Sequence, residues 1–127
     1  MDAHHPHVLI IDDSDDVRDS LREVLEEHGF KVATAANGRE ALDLLLGGLR
    51  PCSILLDLMM PVMDGWDFRA AQALVPKLHT IPLAVLSAAG FSATSIQAQF
   101  GNVEFFSKPF ALPDIVDFVK RNCRPAG

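Results

Sequence analysis

The run Ile54-Leu55-Leu56 constrains the fold more than any other segment: it is apolar without alternation and breaks off at Asp57. A strand with one face in water alternates apolar and polar residues, whereas one covered on both faces, as in a parallel sheet, reads as a continuous apolar run. Three further short stretches, the last interrupted by Glu104, also read as strands that end at polar residues. Val8 to Ile11 stops at Asp12-Asp13, Ile81 to Leu86 at Ser87, and Val103 to Phe106 just before Ser107-Lys108-Pro109. Helix-like stretches lie between them. Ser14 or Asp15 is placed to cap a helix whose inner stripe is Val17, Leu21, Val24 and Leu25 and which Gly29 ends. Phe30 to Ala35 reads as a second strand and Asn37-Gly38 as a turn. Ala41, Leu42, Leu45 and Leu46 mark a second helix, Trp66 to about Lys77 a third, and Leu112 to Asn122 the last. Ala88 to Asn102 has few strong helix formers and predicts a short or irregular helix. Strands and helices that alternate in this way predict an open α/β sandwich around a parallel sheet.

Charge and composition narrow the function. A net charge of −6, with basic residues scattered along the chain, argues against a nucleic-acid surface, which needs clustered Lys and Arg. The apolar runs are too short to span a membrane. Met1 to His7 lacks the layout of a signal peptide, which points to the cytoplasm. His4, His5 and His7 read as part of a flexible tail over residues 1–7, ahead of one domain over 8–122 and a short tail over 123–127. Cys52 and Cys123 fit neither a zinc spacing nor a disulfide framework, and the expectation for a cytosolic chain is two reduced thiols.

Ligands of open parallel sheets bind beyond the carboxyl ends of the strands. Those ends deliver Asp12 and Asp13 from the first strand, Asp57 from the third, Ser87 from the fourth and Lys108 from the fifth. Taken singly, each has an ordinary reading: acidic residues decorate helix N-termini, and a lone Ser or Lys at a strand end is usually just solvated. Together they would crowd three carboxylates onto one rim. Such a cluster stays ionised only if something positive sits within it. A hard divalent ion, Mg²⁺ or Mn²⁺, suits oxygen ligands, and with Lys108 it balances the three negative charges. A carboxylate so placed is a competent nucleophile toward phosphorus.

At this point the sequence resembles the response-regulator receiver family. The resemblance rests on Asp12-Asp13, on Asp57-Leu58-Met59-Met60-Pro61-Val62-Met63-Asp64-Gly65, on Ser87-Ala88 and on Lys108-Pro109-Phe110, and it covers roughly Val8 to Asn122. It implies a flavodoxin-like, doubly wound five-stranded parallel sheet in the order 2-1-3-4-5 with five helices. It further implies Asp57 as phosphoacceptor, Asp13 as direct metal ligand with Asp12 acting mainly through water, and the Met59 carbonyl as another ligand. Ser87 and Lys108 would sense the phosphate, Phe105 would be the aromatic switch, and the Lys108-Pro109 bond is similar to one often cis in the family. Met59 and Ala89 depart from the polar residues many relatives carry there, which implies a longer-lived aspartyl phosphate.

The expected function is a signalling switch rather than an enzyme. A sensor histidine kinase or phosphotransfer protein supplies the phosphoryl group, and a downstream effector reads it by protein contact, with no output domain within the chain. The helix after the fourth strand, the fifth strand and the last helix form the expected contact face. Three rivals are weaker. An aspartyl-phosphate phosphatase would want an acid at the position of Met59. A flavodoxin-like cofactor binder would want a glycine- and hydroxyl-rich loop where Asp12-Asp13 stand. A degenerate receiver that binds without phosphate would not need the intact acidic pair, Asp57 and Lys108.

Overall fold

The computed structural model describes residues 7–87, 92–101 and 103–123. In chain order the elements are β1 (Val8–Ile11), α1 (Asp15–Glu27), β2 (Val32–Ala35), α2 (Gly38–Leu46), β3 (Ser53–Asp57), α3 (Gly65–Ala73), α4 (Pro76–His79), β4 (Leu83–Ser87), α5 (Ala93–Phe100), β5 (Glu104–Ser107) and α6 (Leu112–Asn122). The five strands form one sheet in the order β2-β1-β3-β4-β5, and every neighbouring pair is parallel.

The unalternating strands are explained by the two cores. Leu9, Ile11, Ile54, Leu56 and Val85 point to one side of the sheet, where they meet Ala41 and Leu45 of α2, Phe68 of α3, and Ile96 and Phe100 of α5. Val8, Ile10, Leu55, Ala84 and Leu86 point to the other side, against Leu21 and Leu25 of α1 and Ile115, Val116, Phe118 and Val119 of α6. Side chains alternate along a strand, so only a sheet covered on both faces demands apolar residues at every position.

Local chemistry sets the helix ends. Ser14 caps α1 by accepting from the Val17 N–H, and Asn37 caps α2 by accepting from Glu40 N–H, so Asn37-Gly38 opens a helix rather than making a free-standing turn. The described residues hold six helices instead of the five expected. Pro76 is the cause: lacking an N–H, it cannot continue a helix but fits a first turn, so the expected Trp66–Lys77 helix stops at Ala73 and a single turn, α4, restarts at Pro76. The helix after β4 is short, as expected, at eight residues.

The cysteine expectation is overturned. Cys52 and Cys123 form a disulfide, with Cα atoms 5.3 Å apart and 71 residues of separation in sequence. Spacing along the chain gave no hint of it because the bond is made by topology. The start of β3 and the end of α6 meet at the same edge of the second core, where Cys123 is buried among Phe118, Val119 and the strand residues.

Candidate phosphoacceptor site at the carboxyl rim of the sheet

Strand register assembles the site. Ile11 pairs with Leu56, so the next residues, Asp12 and Asp57, stand level on adjacent strands. Asp57 pairs in turn with Leu86, which places Ser87 one step beyond on β4, and Ser87 pairs with Ser107, the residue before Lys108. The Lys108 N–H donates to the Ser87 carbonyl at 2.7 Å, and the Lys108-Pro109 bond is cis. Carboxylate oxygens of Asp12, Asp13 and Asp57 lie within 4.8 Å of one another. Asp12 is fully buried, Asp57 nearly so, and Asp13 is exposed.

The burial of Asp12 is compensated in full. Its Oδ1 accepts from the Ser14 N–H at 2.9 Å, and its Oδ2 accepts from Lys108 Nζ at 2.8 Å. The same ammonium lies 3.5 Å from Asp57 Oδ1, which the Met59 N–H also approaches at 3.4 Å. Burial, and then the neighbouring Asp12 charge, push the Asp57 carboxyl up to about 6, against smaller opposing effects from Lys108 and the Met59 N–H. For Lys108, burial disfavours the ammonium, but its hydrogen bond to Asp12 and the charges of Asp12 and Asp57 outweigh this and raise its pKa above the ordinary value. Two carboxylates therefore share one lysine, and the third is open to solvent.

That donor set fits a hard divalent cation. Three carboxylates within reach of one point supply oxygen ligands only, and the single ammonium leaves a net negative charge for the ion to balance. Asp13, exposed beside the buried pair, is the carboxylate best placed to meet an ion arriving from solvent.

The loop after Asp57 is held from two sides. A Cβ on Gly65 would fall 2.5 Å from the Asp57 carbonyl oxygen and 2.8 Å from Leu58 Cα, so only glycine lets α3 start against the backbone of Asp57 and Leu58. Gly38 N–H donates to the Met63 carbonyl at 2.8 Å, which ties the loop to α2. Within the loop, Val62 takes the left-handed conformation, with φ of 69°, and is exposed, as is Met59. Phe105 lies on β5 opposite Val85 and packs against the core shared with α5. Ala89 lies outside the described residues.

Topology and site together decide the family. The response regulator receiver domain model matches residues 8–120. The chain belongs to the response-regulator receiver family. The receiver is 38% identical over 117 residues to Response regulator Rre1 of Synechocystis sp., covering 91% of this chain and 50% of that protein. It is also 38% identical over 123 residues to Transcriptional regulatory protein PrrA of Mycobacterium tuberculosis, covering 96% of this chain and 52% of that one. It thus spans about half the length of these curated relatives. Among solved structures, the Vibrio cholerae chemotaxis protein CheY4 superposes with a TM-score of 0.81 at 29% identity, covering 94% of this chain and 99% of that one.

Two supporting residues were not legible beforehand. Arg18, one turn into α1, donates to the Asp12 carbonyl at 2.6 Å and pairs with Asp15, clamping the strand end that carries the acidic pair. Gly65 stood in the sequence only as the last residue of the stretch that carries the resemblance, with no packing role assigned to it. A glycine eight residues after a strand-end carboxylate and at the start of a helix was the available signal for close backbone approach.

Proposed function

We propose that the receiver is a phosphorylation switch: Asp57 accepts a phosphoryl group from a phosphohistidine on a sensor histidine kinase or phosphotransfer protein, and a downstream effector reads the change. The observation that carries this reading is the placement of Asp57, buried, level with Asp12 and within 3.5 Å of Lys108 Nζ, in a cluster of three carboxylates. Asp57 Oδ attacks phosphorus and forms the O–P bond, the P–N bond of the donor breaks, and the imidazole nitrogen leaves with that bonding pair, the ring being neutralised by a proton. Asp12, Asp13, Asp57 and the Met59 carbonyl would hold Mg²⁺ or Mn²⁺, which would supply neutralisation of charge on the transferring oxygens. Lys108 shifts from its shared carboxylates toward the new phosphate, and the Ser87 hydroxyl follows from the end of β4. Phe105, packed against the core that α5 completes, passes the rearrangement to the face of α5, β5 and α6.

A largely apolar groove beside Lys108, lined by Val17 and Leu21 of α1 and by Pro109, Phe110 and Leu112, suits a helix of the phosphodonor. The receiver acts in the cytoplasm, where such donors draw on ATP; no helix among the described residues is long and apolar enough to cross a membrane. It is a signalling domain that assists its own phosphorylation and dephosphorylation and turns over no separate substrate.

The test is intact mass after incubation with acetyl phosphate, with and without Mg²⁺, beside Asp57→Asn. One added phosphoryl group that requires both Mg²⁺ and Asp57 supports the switch. No adduct, together with no binding of beryllium fluoride, replaces it with a receiver that acts by contact alone.

A further inference from the structure

The Cys52–Cys123 disulfide has no part in the chemistry at Asp57. It lies at the opposite rim of the sheet: Cys52 immediately precedes β3 and Asp57 ends it, a distance of roughly 16 Å at about 3.3 Å per residue. Backbone hydrogen bonds hold both of its residues. The Cys52 N–H donates to the His7 carbonyl at 3.0 Å, which fixes Cys52 beside the start of β1. The Cys123 N–H donates to the Val119 carbonyl at 2.7 Å, making Cys123 the C-cap of α6, and the Ser53 hydroxyl lies 3.3 Å from its sulfur. Cys123 is buried, whereas Cys52 is half-buried and so is the less protected residue of the pair.

A disulfide is unusual where phosphorelays operate. Cytosolic thiols are kept reduced by glutathione and thioredoxin-type dithiols, and the disulfides found there are mostly transient or redox-sensing. We propose that Cys52–Cys123 is an exchangeable redox site, opened by a dithiol reductant, that sets how firmly the end of α6 is held to the sheet. The expectation that it meets a reductant rests on the cytoplasmic reading above.

A thiolate of the dithiol attacks the sulfur of Cys52, the less buried partner, and the Cys52–Cys123 bond breaks. Cys123 leaves as a thiolate and takes a proton from water. The second thiol of the reductant then attacks the mixed disulfide, closing the reductant's own disulfide and releasing Cys52, which is protonated in turn. The protein gains two electrons and two protons, and the dithiol loses the same. With the bond closed, α6 is fastened at its C-cap to the base of β3. With it open, α6 is held by its apolar stripe, Ile115, Val116, Phe118 and Val119, and by the ion pair from Arg121 to Glu104 of β5. Because α6 belongs to the face proposed to meet the effector, thiol state provides a second input to that face, separate from phosphate.

The experiment uses the full chain, air-oxidised and then incubated under native conditions with or without dithiothreitol, followed by iodoacetamide and intact mass. Amide hydrogen exchange of the α6 peptide and thermal unfolding are measured on the same samples. The proposal expects no alkylation before reduction and two alkyl groups after it. It also expects α6 exchange at least about tenfold faster and a melting temperature lower by about 10–20 °C, as closure of a 71-residue loop implies. Cys52→Ala should match the reduced protein and no longer respond to dithiothreitol. Two alkyl groups already present after air oxidation would overturn the proposal. So would a bond that opens only in denaturant, or unchanged α6 exchange once it is open. Thiol content and α6 exchange are read without phosphate, so Asp57 chemistry stands or falls by its own assay.

Discussion

Replacing Asp57 with Asn should stabilise the receiver while abolishing its phosphorylation. The carboxyl of Asp57 has a pKa raised from its ordinary 3.8 to about 6 by burial and by the Asp12 charge. The folded protein therefore holds this proton more tightly than the unfolded chain does. Where a native pKa is raised for an acid, stability falls as pH rises through the window between the two values, here from about 4 to about 6. Each pKa unit is worth about 1.4 kcal/mol, so at pH 7 the ionised group costs about 3 kcal/mol relative to a neutral one. Asn keeps the shape and removes the charge, and Lys108 keeps its 2.8 Å partner Asp12. A gain of about 1–3 kcal/mol at pH 7 is expected, since Lys108 loses one of its two partners. Urea unfolding in a chelator measures it at pH 7 and again at pH 4, where the gain should nearly vanish. Saturating Mg²⁺ should shrink the pH 7 gain as well, because an ion stabilises the carboxylate of the native protein. An Asn variant less stable than the native chain at pH 7, or a difference independent of pH, would refute the reasoning.

Three further outcomes are expected. Lys108→Ala leaves buried Asp12 without its cation and should cost about 3 kcal/mol or more by denaturant titration, whereas Lys108→Arg should recover part of the loss. Gly65→Ala drives a methyl into the Asp57 carbonyl and Leu58 backbone; despite better helix propensity it should destabilise by about 1–3 kcal/mol and slow acetyl phosphate labelling. Met59→Asn, at an exposed loop position beside Asp57, should shorten the lifetime of the aspartyl phosphate several-fold by positioning water, measured as loss of the mass adduct with time; an unchanged lifetime would remove Met59 from that role.

Much of this architecture was legible because a parallel sheet writes itself into the sequence. Ile54-Leu55-Leu56 needed apolar side chains toward both cores, and the strand ends had to carry polar residues where the sheet meets water. Asp12, Asp57, Ser87 and Lys108 were thus placed on one rim before any coordinates. What stayed hidden was non-local or sterically fine-grained. Nothing in the neighbourhood of Cys52 announces a partner 71 residues away. Pro76 was visible, but whether the chain would turn or restart as a helix depended on Leu78 finding its place in the core. The contrast in burial between Asp12, which is buried, and Asp13, which is exposed, was also out of reach. Either residue of the pair could have turned inward, and the choice follows from the β1 register and the Lys108 ion pair.

The Lys108–Asp12 contact joins residues 96 positions apart, across the whole span from β1 to the segment after β5. A chain emerging from the ribosome can pair β1, β2 and β3 well before β5 exists, and at that stage it brings Asp12 beside Asp57 with no lysine to separate their charges. Charge pairing at the rim is therefore completed only when the segment after the last strand is in place.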